Sequence, residues 1–135
     1  MAENQDPSLM QGRTFVWHEV YAPDTQASID FYTKALGFGS TSMSMGEMGD
    51  YHMLTRDGQP VCGVISTTEM KMDGVPPHWA TYISVPDVDA TLTAAQEHGA
   101  TVVVPAMDVP TIGRMALISD PQGAHVWVFK PEPQG

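Results

Sequence analysis

Basic residues are scarce in this chain, and cysteine is nearly absent. Six Lys and Arg stand against 16 Asp and Glu in 135 residues, a net charge of −10. Nucleic acids and anionic membranes are bound through a basic face, so neither is an expected partner. One cysteine, Cys62, excludes a disulfide within the chain. It lies in an apolar run and is expected to be a small buried hydrophobe. No hydrophobic run approaches the roughly 20 residues of a membrane-spanning helix. The first dozen residues are polar and lack the apolar stretch of a signal peptide. Those absences lead us to expect a soluble, cytoplasmic protein. Residues 1–13 and 131–135 are expected to be frayed tails.

What is present is a repetition. Pro23-Asp24 recurs as Pro86-Asp87, and Asp57-Gly58-Gln59-Pro60 returns as Asp120-Pro121-Gln122-Gly123. Both anchors share one offset of 63 positions, as from Asp24 to Asp87. A fixed offset between two anchors marks an internal duplication. Each copy alone is near the lower size limit for independent folding, so the two are expected to act together.

The same element order can be followed through each copy. Residues 14–21 are rich in β-branched and aromatic side chains and predict a strand. Asp24 or Thr25 suits a helix N-cap, and Gly37 suits its C-terminal end. Between them Ala27, Phe31 and Ala35 recur at helical spacing. Three short strands follow, near 39–45, 51–56 and 61–66, with glycine-containing turns between them. The second copy predicts a strand over 79–85, a helix over 88–98 closed by Gly99, and strands near 101–104, 114–119 and 124–130. The expected fold class is α+β, with two tandem βαβββ modules over 14–67 and 78–130 and a linker over 68–77. Mixed sheets of this kind would enclose a cleft between the modules, where a site is expected.

The pattern resembles the vicinal oxygen chelate superfamily, which contains glyoxalase I, bleomycin-resistance proteins, fosfomycin-resistance enzymes and extradiol dioxygenases. The resemblance rests on the two βαβββ modules, the helix Ser28-Ile29-Asp30-Phe31-Tyr32 ending at Leu36-Gly37-Phe38, and Asp120-Pro121-Gln122-Gly123. Further stretches are Phe15-Val16-Trp17-His18-Glu19, Asp57 to Gly63, Trp79-Ala80-Thr81-Tyr82 and Gly113-Arg114. They are similar to a glyoxalase-like branch that includes a mycobacterial secreted antigen and proteins named hydroxylases. The resemblance covers residues 14–130.

Metal-using members place His or Glu ligands on the first and last strands of each module. Carried onto this chain, those positions are Trp17, Val64, Ala80 and Trp127. None of the four offers a side-chain ligand for Zn²⁺, Fe²⁺ or Mn²⁺. Shifting Val64 by one residue adds only the Cys62, Gly63 and Ile65 neighbourhood, one thiolate at most. No cofactor is therefore expected, and a divalent metal is not expected. His18 lies one residue from the ligand position, which places it on the opposite strand face, toward the helix layer.

In place of a metal, Trp17 and Trp127 are expected to line the cleft. Strand alternation sets Glu19 beside Trp17 and Tyr82 beside Ala80. Glu19, Tyr82 and His125 are the candidate catalytic residues, as base and acid, or else Glu19 and Tyr82 form a buried hydrogen-bonded pair. Arg114 either binds a ligand carboxylate or pairs with a surface acid. Met43, Met45, Tyr51 and Met53 either wall a pliable ligand pocket or fill ordinary core.

Three functions follow from these residues. One is a small-molecule binding protein for an aromatic or apolar ligand, of the bleomycin-resistance type. A second is a metal-independent lyase, isomerase or hydrolase. The third, implied by the resemblance alone, is a metal-dependent glyoxalase-type lyase or dioxygenase. A homodimer is the expected assembly.

Overall fold

The computed structural model describes residues 13–132. Eight strands and two α-helices run β1 (Phe15–Ala22), α1 (Thr25–Leu36), β2 (Gly39–Ser44), β3 (Asp50–Arg56) and β4 (Gln59–Ser66). They continue as β5 (His78–Ser84), α2 (Val88–Glu97), β6 (Thr101–Val109), β7 (Gly113–Ser119) and β8 (His125–Pro131). This is the α+β arrangement of two βαβββ repeats. The chain divides into two compact units, residues 17–80 and residues 81–132, with 13–16 counted to the second. No helix among the described residues is long and apolar enough to cross a membrane.

In the first unit the strand order is β2-β3-β4-β1. β1 and β4 are parallel, whereas β2–β3 and β3–β4 are antiparallel. Helix α1 starts because the Asp24 side chain accepts from the Ala27 backbone N–H at 3.1 Å, satisfying one of the free donors of the first turn. It stops at Gly37, whose φ of 77° is a left-handed conformation that glycine adopts at little cost. α1 packs on β3 and β4. The core between them is Val20, Ile29, Leu54, Cys62 and Val64, edged by Tyr32 and Phe38. Cys62 is thus the buried hydrophobe its context suggested, and burial pushes its thiol pKa up.

The second unit repeats the plan with order β6-β7-β8-β5, β5 and β8 being parallel. Asp87 caps α2 by accepting from the Ala90 N–H at 3.0 Å, the same contact 63 positions on. Val88, Ala116, Ile118 and Val128 form the core under α2. Asp87→Ala is expected to destabilise the protein by roughly 0.5–2 kcal/mol, while Asp87→Asn changes it by far less; urea unfolding reads both.

β6 runs five residues past its expected end at Val104. The strand continues through Pro105 because β6 is the last strand of its unit's order, where a missing N–H breaks no ladder. Register shifts between Val102 and Met107 absorb the ring.

Candidate functional site

β1 of the first unit presents Val20 to α1 and, by alternation, Trp17, Glu19 and Tyr21 to the opposite face. Glu19 is only 6% exposed, and it is the one buried charged side chain among the described residues. A buried carboxylate must be hydrogen-bonded to be tolerated. Here two phenols serve it: Tyr51 donates to Oε2 at 2.6 Å and Tyr21 donates to Oε1 at 2.8 Å. The Trp17 indole N–H donates in turn to the Tyr51 oxygen at 2.8 Å. The short phenol–carboxylate distances are those of charge-assisted bonds. Burial first, and the neighbouring Glu19 second, raise the Tyr51 pKa far above its ordinary value. Tyr51 therefore keeps its proton and acts as a donor.

Tyr51 reaches Glu19 because Gly63 lets it pass. Gly63 lies directly beside Glu19 in the parallel β1–β4 pairing. A Cβ on Gly63 would overlap the Tyr51 hydroxyl and stand 3.1 Å from the Glu19 Cγ. A glycine inside a strand signals close approach of another group, and that signal was present in the sequence. Tyr21 was readable too, since it lies two residues from Glu19 on the same strand face.

The register of β4 corrects the expectation for Val64. That residue belongs to the core under α1, on the wrong face for the site. β4 carries an extra residue, Val61, because Thr55 pairs with Pro60 while Leu54 pairs with Cys62. Without that bulge Val64 would stand opposite Tyr51 and share its face. The residue that does occupy the site face is Gly63. Its counterpart in the second unit is Trp127, since Glu19 pairs with Gly63 as Tyr82 pairs with Trp127.

The second unit turns an aromatic surface away from α2. Tyr82 and Trp127 are buried and stacked, with centroids 5.3 Å apart and planes within 10°. Phe129 meets Tyr82 edge-on at 6.1 Å. Stacked and edge-on pairs of this kind are favourable beyond the area they bury.

Several other expected site residues lie elsewhere. His18 shares the strand face of Val20 but is exposed, since α1 covers Val20 and not the residue two before it. Arg114 lies on the α2 side of β7 and holds Asp89 through two hydrogen bonds of 2.9 and 3.0 Å, with Asp108 at 3.1 Å. Of its two sequence readings, the surface ion pair is the one present, and it lowers the Asp89 pKa. His125 is exposed, with Nδ1 3.0 Å from the Gly123 carbonyl oxygen. Met53 is buried, Met45 half-buried and Met43 exposed. The candidate catalytic pair, Glu19 and Tyr82, belongs to two different units, and Glu19 has Tyr21 and Tyr51 as partners within its own.

No group of three His, Cys, Asp or Glu among the described residues could hold a metal ion. At the ligand positions the chain supplies Trp17, Gly63, Ala80 and Trp127, two indoles, a hydrogen and a methyl. This donor set does not fit a divalent ion.

Each unit repeats one βαβββ plan and turns buried side chains away from its helix, Glu19 in the first and Tyr82 and Trp127 in the second. The sequence profile of the Glyoxalase/Bleomycin resistance protein/Dioxygenase superfamily matches residues 14–128, and the chain belongs to that superfamily. It is 36% identical over 121 residues to CFP32 of Mycobacterium tuberculosis, provisionally named a glyoxylase, covering 90% of this chain and 45% of that protein. It is 33% identical over 125 residues to the anthracycline biosynthesis protein DnrV of Streptomyces peucetius, covering 84% of this chain and 46% of that one. The chain thus spans about half the length of these curated relatives. Among solved structures, methylmalonyl-CoA epimerase from Mycobacterium tuberculosis shares the fold with a TM-score of 0.60 at 17% identity, covering 89% of both chains.

Proposed function

We propose that this chain is a binding member of its superfamily, holding a small aromatic or apolar molecule without a metal ion. The observation that carries the reading is the donor set. Where metal-using relatives place ligands, the first unit has an indole and a glycine that admits Tyr51. The space is given to Trp17, Tyr51 and Tyr21 around one carboxylate. Aromatic walls with few polar groups are the ordinary make-up of small-molecule sites. Glu19 is held among these rings by two phenols. The same reading takes the working form to be a cytoplasmic homodimer.

The test has two parts. Metal analysis of protein purified without chelators should find far less than one Zn, Ni or Fe per chain. A thermal-shift screen of aromatic compounds should find stabilising ligands, since a ligand at 100 times its Kd adds about 2.7 kcal/mol. Near-stoichiometric metal, or no stabilising aromatic compound, would overturn the proposal.

A second reading is a metal-independent lyase or isomerase with Glu19 as base. The burial of a single carboxylate favours it, because such groups are often kept for proton transfer.

A further inference from the structure

The first unit has an apolar groove beside α1 that shares only Tyr21 with the reading above. It measures about 460 Å³, and Phe31, Tyr32 and Trp79 wall it, with Tyr21 and His78 at one end and Asp24 in its lining. Small-molecule sites span roughly 300–1,000 Å³. The walls are fixed in place. Tyr32 meets Phe31 edge-on at 5.0 Å and Trp79 edge-on at 5.4 Å. The Trp79 indole N–H donates to the Tyr32 hydroxyl at 3.1 Å. Tyr21 and His78 stack in parallel at 4.9 Å.

Two of these aromatic side chains remain largely in contact with solvent, Phe31 at 58% and Trp79 at 50% exposure. Large apolar side chains grouped in the open mark binding surfaces more often than scattered ones do. The fold does not require a large apolar side chain at the position of Phe31. Helix α2 has the same aspartate cap and the same place in its unit, with Ala94 and Ala95 at the positions of Phe31 and Tyr32. The duplication thus supplies an internal comparison: an alanine pair makes an equally capped helix.

The charge of the groove is one-sided. Its lining contains no Lys or Arg, and Asp24 is its one carboxylate. Asp24 uses Oδ1 to cap the helix, and its carboxylate has a second oxygen, Oδ2. The helix N-terminus adds about half a positive charge there, less than the full negative charge of the aspartate. The chain's net charge of −10 adds long-range attraction for cations. Aromatic faces bind cations placed within about 6 Å of the ring.

We infer that this groove binds a flat organic cation: an aromatic ring lying against Phe31 and Trp79, with an ammonium group directed to Asp24. A second copy of the chain fits less well. A two-fold pairing through this face would gather both Asp24 carboxylates into one interface.

The test uses 1-naphthylmethylammonium, neutral 1-naphthylmethanol and anionic 1-naphthoate as probes. The readout is the indole N–H signal of each tryptophan in ¹H–¹⁵N spectra, with Trp79 identified through Trp79→Phe. The ammonium probe should shift the Trp79 signal saturably and bind about fivefold or more tightly than the neutral probe. Phe31→Ala should weaken both. Asp24→Ser, which keeps a capping hydroxyl, should remove the preference for the ammonium and leave the neutral probe unchanged. Equal binding of all three probes would overturn the inference. So would shifts at Trp17 or Trp127 without Trp79, a result that would instead support ligand binding on the Glu19 or Trp127 faces. A Trp79 signal that moves with protein concentration alone would assign the groove to a second copy and overturn it as well.

Discussion

Gly63→Ala is expected to destabilise the protein by about 3 kcal/mol or more, a large effect for one methyl group. The added Cβ overlaps the Tyr51 hydroxyl, so the phenol must leave its place between Trp17 and Glu19. Its departure removes a charge-assisted hydrogen bond from a buried carboxylate and the acceptor of the Trp17 N–H. Overpacking in a closed site adds roughly 1–3 kcal/mol. Urea unfolding of a double-mutant cycle separates this cause from a general strand effect. In a Tyr51→Ala background the overlap with the phenol is absent and only the 3.1 Å approach to the Glu19 Cγ remains, so Gly63→Ala should then cost about 1 kcal/mol or less. An equal cost in both backgrounds would show that strand β4 itself rejects a side chain at 63.

Tyr51→Phe is expected to cost about 2–4 kcal/mol. It keeps the ring and removes one oxygen that serves two partners. A hydrogen bond to a charged acceptor contributes roughly 1.5–3 kcal/mol, and the orphaned indole N–H adds its own desolvation cost. Glu19 retains only the Tyr21 bond of the two described. The double variant Glu19→Gln/Tyr51→Phe should lose less than the sum of the single changes, since both act on one network. The pH dependence carries a sign. Tyr51 has a folded-state pKa raised above the ordinary tyrosine value of 10.0, so its contribution is fully present below about pH 10. It is lost as pH rises beyond that, because the unfolded chain ionises its tyrosine first. The stability difference between wild type and Tyr51→Phe should therefore be flat from pH 6 to about pH 9 and shrink above it.

The parts of the molecule that could be read in the sequence are those governed by local rules. Asp24 and Asp87 cap helices where the repeat placed them, and Gly37 ends α1 in the left-handed conformation expected of it. Alternation along β1 put Trp17 and Glu19 on one face, as found. Failures came where a property depends on which strand lies alongside. Pro105 halts an inner strand but not an edge strand, and the position of β6 in its sheet is not written near Pro105. For Arg114 the surface-pair reading is the one present, because the residue alternates onto the α2 side, a phase set by the whole hairpin rather than by its neighbours. The partners of Glu19 needed Tyr51 brought from 32 residues away, a non-local contact that no short motif encodes.

The bulge at Val61 bears on how a duplicated gene can diverge. The first hairpin turns through Asp57-Gly58 and then absorbs one extra residue, whereas β7 and β8 pair without a shift. Equal counts from Asp57 and Asp120 consequently end on opposite faces, Val64 inward under α1 and Trp127 on the far side. An insertion of one codon in a strand re-phases every side chain after it while leaving the helices and their caps untouched. Two halves of common descent can in this way keep one scaffold and present unrelated chemistry, a phenol-bound carboxylate in one and a stacked indole in the other. Alignments of such proteins that match turn to turn will then pair residues that never held the same role.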